Sequence, residues 1–232
     1  MLKVLTFCTL ASCNLITLCV GSVLTPSMLR VILVPGNGGA GQDTLSSNWY
    51  GWLAESMKDS SRKAKADCLV ENYPDPFVAR SDTWLPHINK MIDGDNENTI
   101  LIGHSSGALA AMRMAEMTKL KGIILVSPAH TDLGDENERA SGYFDTPWDY
   151  GAQVSNCDLI HIFHSDDDHL IPVAEARHVA LQMTAEAEAR GVDEKVVYQE
   201  MKGHSHFFEP FDEILQVLDH RFLGVGKNGG EL

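Results

Sequence analysis

Basic residues are few: 18 Lys and Arg stand against 32 Asp and Glu, a formal net charge of -14 at pH 7. A chain this acidic repels phosphate backbones and anionic headgroups, which turns the reading away from nucleic-acid and membrane-surface partners. Cysteine is scarce too. Of five cysteines, three (Cys8, Cys13 and Cys19) lie in the first twenty residues, so no disulfide scaffold is expected. The other two, Cys68 and Cys157, suit a reducing compartment. No Asn-x-Ser/Thr glycosylation sequon occurs anywhere. What is present is ordinary globular material: 44% hydrophobic and 22% charged residues in 232, enough for one domain with a sizeable core.

The one long apolar run is N-terminal. Lys3 is followed by Val4–Val20 and then by the small residues Gly21 and Ser22. This fits a signal peptide cleaved after Gly21, and it fits equally an extension the fold does not need, since Met28 directly precedes the first clear strand. The run is short for a membrane span and contains Asn14, so no stable membrane insertion of the mature domain is expected. The expected location is the cytoplasm, with secretion through this segment as the alternative.

From Arg30 the chain alternates strand and helix signals. Strands are expected at Val31–Val34, Cys68–Tyr73, Thr99–Ile102, Gly122–Val126, Leu159–Phe163 and Lys195–Glu200. Helices are expected at Trp49–Met57, Thr83–Ile92, Gly107–Thr118, Val173–Arg190 and Pro210–Phe222, the last with Pro210 in its first turn. This alternation predicts a three-layer α/β architecture, a roughly six-stranded and mostly parallel sheet with helices on both faces. Sites in such sheets form at the carboxyl ends of the strands.

The third strand runs into Gly103-His104-Ser105-Ser106-Gly107, a G-x-S-x-G pattern with a strand before it and a helix after it. That context defines a nucleophile elbow: the serine sits on a sharp turn that projects its hydroxyl above the sheet, and the flanking glycines let backbones pass closely. A serine needs a positioned base, itself oriented by an acid, and on this architecture the order is Ser, then Asp or Glu, then His. The fifth strand opens onto Asp166-Asp167-Asp168, of which Asp168, standing before the apolar Leu170-Ile171, is the expected acid. The sixth opens onto Gly203-His204-Ser205-His206-Phe207. His206, beside the apolar residues that lead into the last helix, is the expected base and His204 the alternative. Oxyanion donors are expected from the N–H of Ser106 and from Asn37 or Gly38 in the glycine-rich loop after the first strand.

Two other chemistries use some of the same residues. Gly36, Gly38 and Gly41 satisfy G-x-G-x-x-G, yet Gln42-Asp43-Thr44 does not open a tightly packed helix, and Glu71 comes late for a ribose ligand. His164, Asp166, Asp168, His169, His204 and His206 include metal-ligand types, but neither a helical His-x-x-x-His nor a Cys pair accompanies them. No cofactor and no metal are therefore expected.

Val34-Pro35-Gly36-Asn37-Gly38-Gly39, Trp49-Tyr50-Gly51-Trp52, Pro74-Asp75-Pro76, the elbow through Ala108 and the long run Asp132–Phe144 together resemble the retinoblastoma-binding protein 9 family of serine hydrolases. The resemblance covers about Arg30 to Phe222. It implies a small α/β-hydrolase with a Ser-Asp-His triad, here Ser105, Asp168 and His206 or His204. Two departures stand out. Residues are inserted where the family places its histidine between Gly and Phe. The Leu-x-Cys-x-Glu motif of the vertebrate member is replaced by Asp93-Gly94-Asp95-Asn96-Glu97, so retinoblastoma-protein binding is not expected.

The expected organisation is a hydrophobic extension or signal peptide over 1–29, an α/β-hydrolase domain over 30–223 and a flexible glycine-rich tail over 224–232. The expected function is hydrolysis of a small ester or amide through an acyl-enzyme. A catalytically weak interaction module on the same fold is the alternative. The segment His130–Tyr150, rich in acids and aromatics, is the expected pocket wall, and its acids suit an aminoacyl substrate with a positive amine.

Overall fold

The computed structural model describes residues 28–225. The N-terminal hydrophobic segment and most of the glycine-rich tail lie outside the described residues. Six strands form one sheet: β1 (Leu29–Val34), β2 (Ala66–Leu69), β3 (Thr99–His104), β4 (Leu120–Val126), β5 (Cys157–Ser165) and β6 (Val196–Met201). Their order is β2-β1-β3-β4-β5-β6, and every neighbouring pair is parallel. Continuous apolar runs make the central strands, because both of their faces are covered. Val31–Val34 and Thr99–His104 are buried throughout.

Strand alternation sorts the core into two layers. Ile32, Val34, Leu101, Ile123, Leu125 and Ile162 face the helices Ser81–Ile92, Ser106–Met117 and Val173–Ala189. Val31, Leu33, Ile100, Ile102, Val126 and Phe163 face Tyr50–Ser56 and the C-terminal helix Asp212–Val217. This is the α/β-hydrolase architecture in three layers. Among the described residues no helix is long and apolar enough to cross a membrane.

Two expectations are corrected. The second strand is Ala66–Leu69 rather than Cys68–Tyr73, because β2 is an edge strand whose register with β1 runs from Leu29↔Ala66 to Ile32↔Leu69. Tyr73 instead turns back to the first loop, donating its N–H to the Gly41 carbonyl and its hydroxyl to that of Leu33. The last helix begins at Asp212, leaving Pro210 outside, and widens into a π-helical turn over Leu218–Leu223. The segment 130–150 holds a short helix, Glu136–Ala140, capped by the Asp135 carboxylate on the N–H groups of Asn137 and Glu138. A second helix, Tyr150–Asn156, is capped by Asp149.

That segment is anchored at both ends. Arg113, buried on the helix Ser106–Met117, donates to the carbonyls of Tyr143, Thr146 and Pro147, and its guanidinium lies 3.8 Å from the Trp148 ring centroid. Glu175 accepts the N–H groups of His130 and Thr131, each at 2.9 Å.

Candidate active site

β3 ends at His104 and the helix starts at Ser106, so the whole reversal falls on Ser105. Its backbone stands at φ 55°, ψ -123°, a conformation that costs a non-glycine residue on the order of 1–3 kcal/mol. Two features hold it there. The Ser105 N–H donates to the Val126 carbonyl at 2.9 Å, and the chain is pinched on either side. A Cβ on Gly103 would overlap the Gly107 carbonyl, and one on Gly107 would overlap that of Val34. Hence glycine is required at both positions. Ser106, the first residue of the helix, presents an N–H that no intrahelical carbonyl accepts.

The loop after β5 presents Asp168. One carboxylate oxygen, Oδ2, receives His206 Nδ1 at 2.8 Å and the Ser127 hydroxyl at 2.8 Å. The other, Oδ1, receives the N–H groups of Leu170 and Ile171 at 2.9 and 3.0 Å. Burial pushes this carboxyl up, but the His206 hydrogen bond and charge, with the two N–H donors, outweigh it and hold the pKa at about 2. Asp166 is exposed. Asp167 accepts Ser165 Oγ at 2.6 Å and the Ser205 N–H at 2.9 Å, pinning the loop that carries His206.

The two candidate histidines separate. His206 is 3% exposed and bonded to Asp168. The His204 ring stacks on Phe207 at 5.4 Å and packs against Phe211, while its N–H donates to Ser165 Oγ. The other histidines near this sheet edge are also engaged: His164 Nε2 meets the Ile171 carbonyl at 2.9 Å, and His169 Nδ1 meets Ser205 Oγ at 3.0 Å. Among the described residues no group of three or more His, Cys, Asp or Glu is arranged to hold a metal ion.

The first loop differs in detail from the expectation. The Gly38 N–H donates to the Pro76 carbonyl at 2.6 Å and the Gly36 N–H to the Tyr50 hydroxyl at 2.9 Å. The Gly36 and Gly38 N–H groups are thus occupied, and that of Asn37 between them has no backbone acceptor among the described residues. Asn37 Nδ2 donates to Glu138 Oε1 at 2.8 Å.

A cavity of about 480 Å³ opens over the elbow, with Asn37, Ser105 and Ser106 at one side and Leu133, Glu138 and Leu170 among its walls. Burial raises the Glu138 carboxyl; the Asn37 bond opposes this, Asp135 adds to it, and the nearby charge of His206 opposes it. Two residues escaped the sequence reading. Ser127 carries no motif and is recognisable only from its buried place at the end of β4 and its left-handed φ of 50°. Glu138 was hidden among other acids, although Asp135 and Glu138 have the spacing of a capped helix start.

The residues match a family model described as serine hydrolase over 31–214. The chain is 45% identical to the serine hydrolase RBBP9 of Rattus norvegicus over 159 residues, 68% of this chain and 82% of that protein. The crystal structure of the ydeN gene product from B. subtilis aligns with a TM-score of 0.68 at 23% identity, covering 84% of this chain and 99% of that one. Est1E from Butyrivibrio proteoclasticus aligns with a TM-score of 0.61 at 14% identity, covering 88% and 90%. These two likenesses are of fold.

Proposed function

The chain belongs to the RBBP9-like serine hydrolase family and is a hydrolase, and from that premise we propose that it cleaves a small ester or amide through an acyl-enzyme on Ser105. The observation that carries the reading is the Asp168–His206 bond of 2.8 Å, with the His206 carbonyl held by His104, the residue before a serine on a strained elbow. In this mechanism His206 keeps its Nδ1 proton on Asp168 and takes the Ser105 hydroxyl proton at Nε2 as the oxygen attacks the carbonyl carbon. The developing oxyanion receives the N–H groups of Ser106 and Asn37, each such donor contributing about 3 kcal/mol to transition-state stabilisation. His206 then returns its proton to the leaving group. Water, deprotonated by the same imidazole, releases the acid and regenerates Ser105. Asp168 stays ionised throughout and stabilises the imidazolium.

The acyl group is read from the cavity wall. Glu138, half-buried beside the elbow, offers a carboxylate where a substrate ammonium would meet it, which favours an aminoacyl ester or amide over a neutral one. Cys68 and Cys157 are both free, which suits a cytoplasmic enzyme. A fluorophosphonate probe tests the reaction: wild type should be labelled and Ser105→Ala should not. Equal labelling of the two would remove Ser105 as nucleophile.

A further inference from the structure

Behind the elbow lies a polar chain that the proposed reaction does not use. Tyr50 and His104 are 0% and 1% exposed and in direct contact, His104 being the residue before Ser105. The Tyr50 hydroxyl accepts the Gly36 N–H at 2.9 Å and Asn48 Nδ2 at 3.1 Å. Its single proton is therefore left for His104 Nδ1, at 2.6 Å. With Nδ1 accepting, the His104 proton sits on Nε2, and that nitrogen donates to the backbone carbonyl of His206 at 2.9 Å. Each link has one possible direction, so the tautomer follows from counting donors and acceptors.

Three loops meet in this chain. Gly36 precedes the oxyanion residue Asn37, His104 precedes the nucleophile, and the accepting carbonyl belongs to the residue whose ring is bonded to Asp168. We propose that Tyr50 and His104 are positioning residues for hydrolysis, tying the peptide of His206 to the oxyanion loop so that the base and the oxyanion donors reach the substrate in one fixed geometry. The inference rests on the Ser105–His206–Asp168 reading. Neutrality of His104 belongs to the same device. Its ring centroid is 4.9 Å from that of His206, where a second positive charge would oppose the imidazolium that catalysis forms. Burial, with the charge of His206, holds the His104 pKa down at about 3.

The test uses the full-length protein with a fluorophosphonate probe and a p-nitrophenyl ester. Tyr50→Phe and His104→Ala should lower the labelling rate and kcat by about 10- to 100-fold with KM unchanged, the scale of a misplaced catalytic group. His104→Gln, which keeps a donor within reach of the His206 carbonyl, should recover most of that loss. Nitrogen–proton NMR on the wild type should show His104 protonated at Nε2 and silent across the range where a free imidazole titrates. Folded variants that react at the wild-type rate overturn the proposal, as does a loss that His104→Gln leaves unrecovered. Should a variant not fold, the wild-type spectrum decides: a proton on Nδ1, or titration of His104, overturns the chain. Wild type that no probe labels overturns the hydrolase reading, and this inference with it. Labelled wild type with equally labelled variants overturns this inference alone.

Discussion

Ser127 gives its hydroxyl proton to the same oxygen of Asp168 that receives the His206 imidazole, both at 2.8 Å. Ser127 and the base thus share one carboxylate oxygen, and the second oxygen is filled by two backbone N–H groups. Ser127→Ala removes one donor from a buried anion. The expected outcome is a fall in kcat of about tenfold at constant KM, with a shifted pH–rate profile as the measurement that separates it from a loss of fold.

Replacing Asp168 by Asn keeps the shape but changes the proton pattern. An amide can donate to Nδ1 and so favour the wrong tautomer at Nε2. In the proposed mechanism, Asp168→Asn lowers kcat by about 10⁴-fold, and single-turnover acylation should show it.

The same carboxyl sets a stability window. Its folded pKa of about 2 lies below the ordinary Asp value near 3.9, so its ionised form stabilises the fold. By linkage this contribution, about 2 kcal/mol, is complete above the unfolded value and is lost as pH falls toward about 2. Urea titrations of wild type and Asp168→Asn should therefore converge as pH is lowered through that window and separate above it.

Glu138→Gln discriminates between substrate classes. With the wall charge removed, KM for an aminoacyl ester should rise about tenfold or more, while a neutral acyl ester of the same size is unaffected. Equal effects on both esters would remove the ammonium from the reading.

Gly107→Ala probes the elbow itself. Its Cβ would overlap the Val34 carbonyl, so the strand and helix must separate. The expected loss is above about 2 kcal/mol of stability, read from the urea midpoint, together with loss of labelling.

The sheet was legible because its central strands are short, wholly apolar runs punctuated by glycine and proline, and buried parallel strands have that pattern. The edge strand β2 was misplaced because Val70 and Tyr73 are as apolar as a strand requires, and only the register with β1 ends the pairing at Leu69. At the site, the elbow was readable because a strained turn restricts its own residue types. The choice between His206 and His204 was legible only as a preference for His206, since both follow β6 and differ in which ring the loop turns toward Asp168 and which toward Phe207. Ser127, Tyr50 and His104 act across distances of tens of residues in the chain, where no local spacing records them.

Arg113 has a consequence for how this molecule can change. The helix that begins just after Ser105 also grips, through one guanidinium, the carbonyls of Tyr143, Thr146 and Pro147. The elbow and the cavity wall are thus tied together through a single side chain. Residues 132–142 lie between the two anchors, and from there Glu138 reaches across to bond Asn37. Loss of the Arg113 side chain would free the wall from the helix behind the elbow, so Arg113 is the residue that a redesign of the wall must keep.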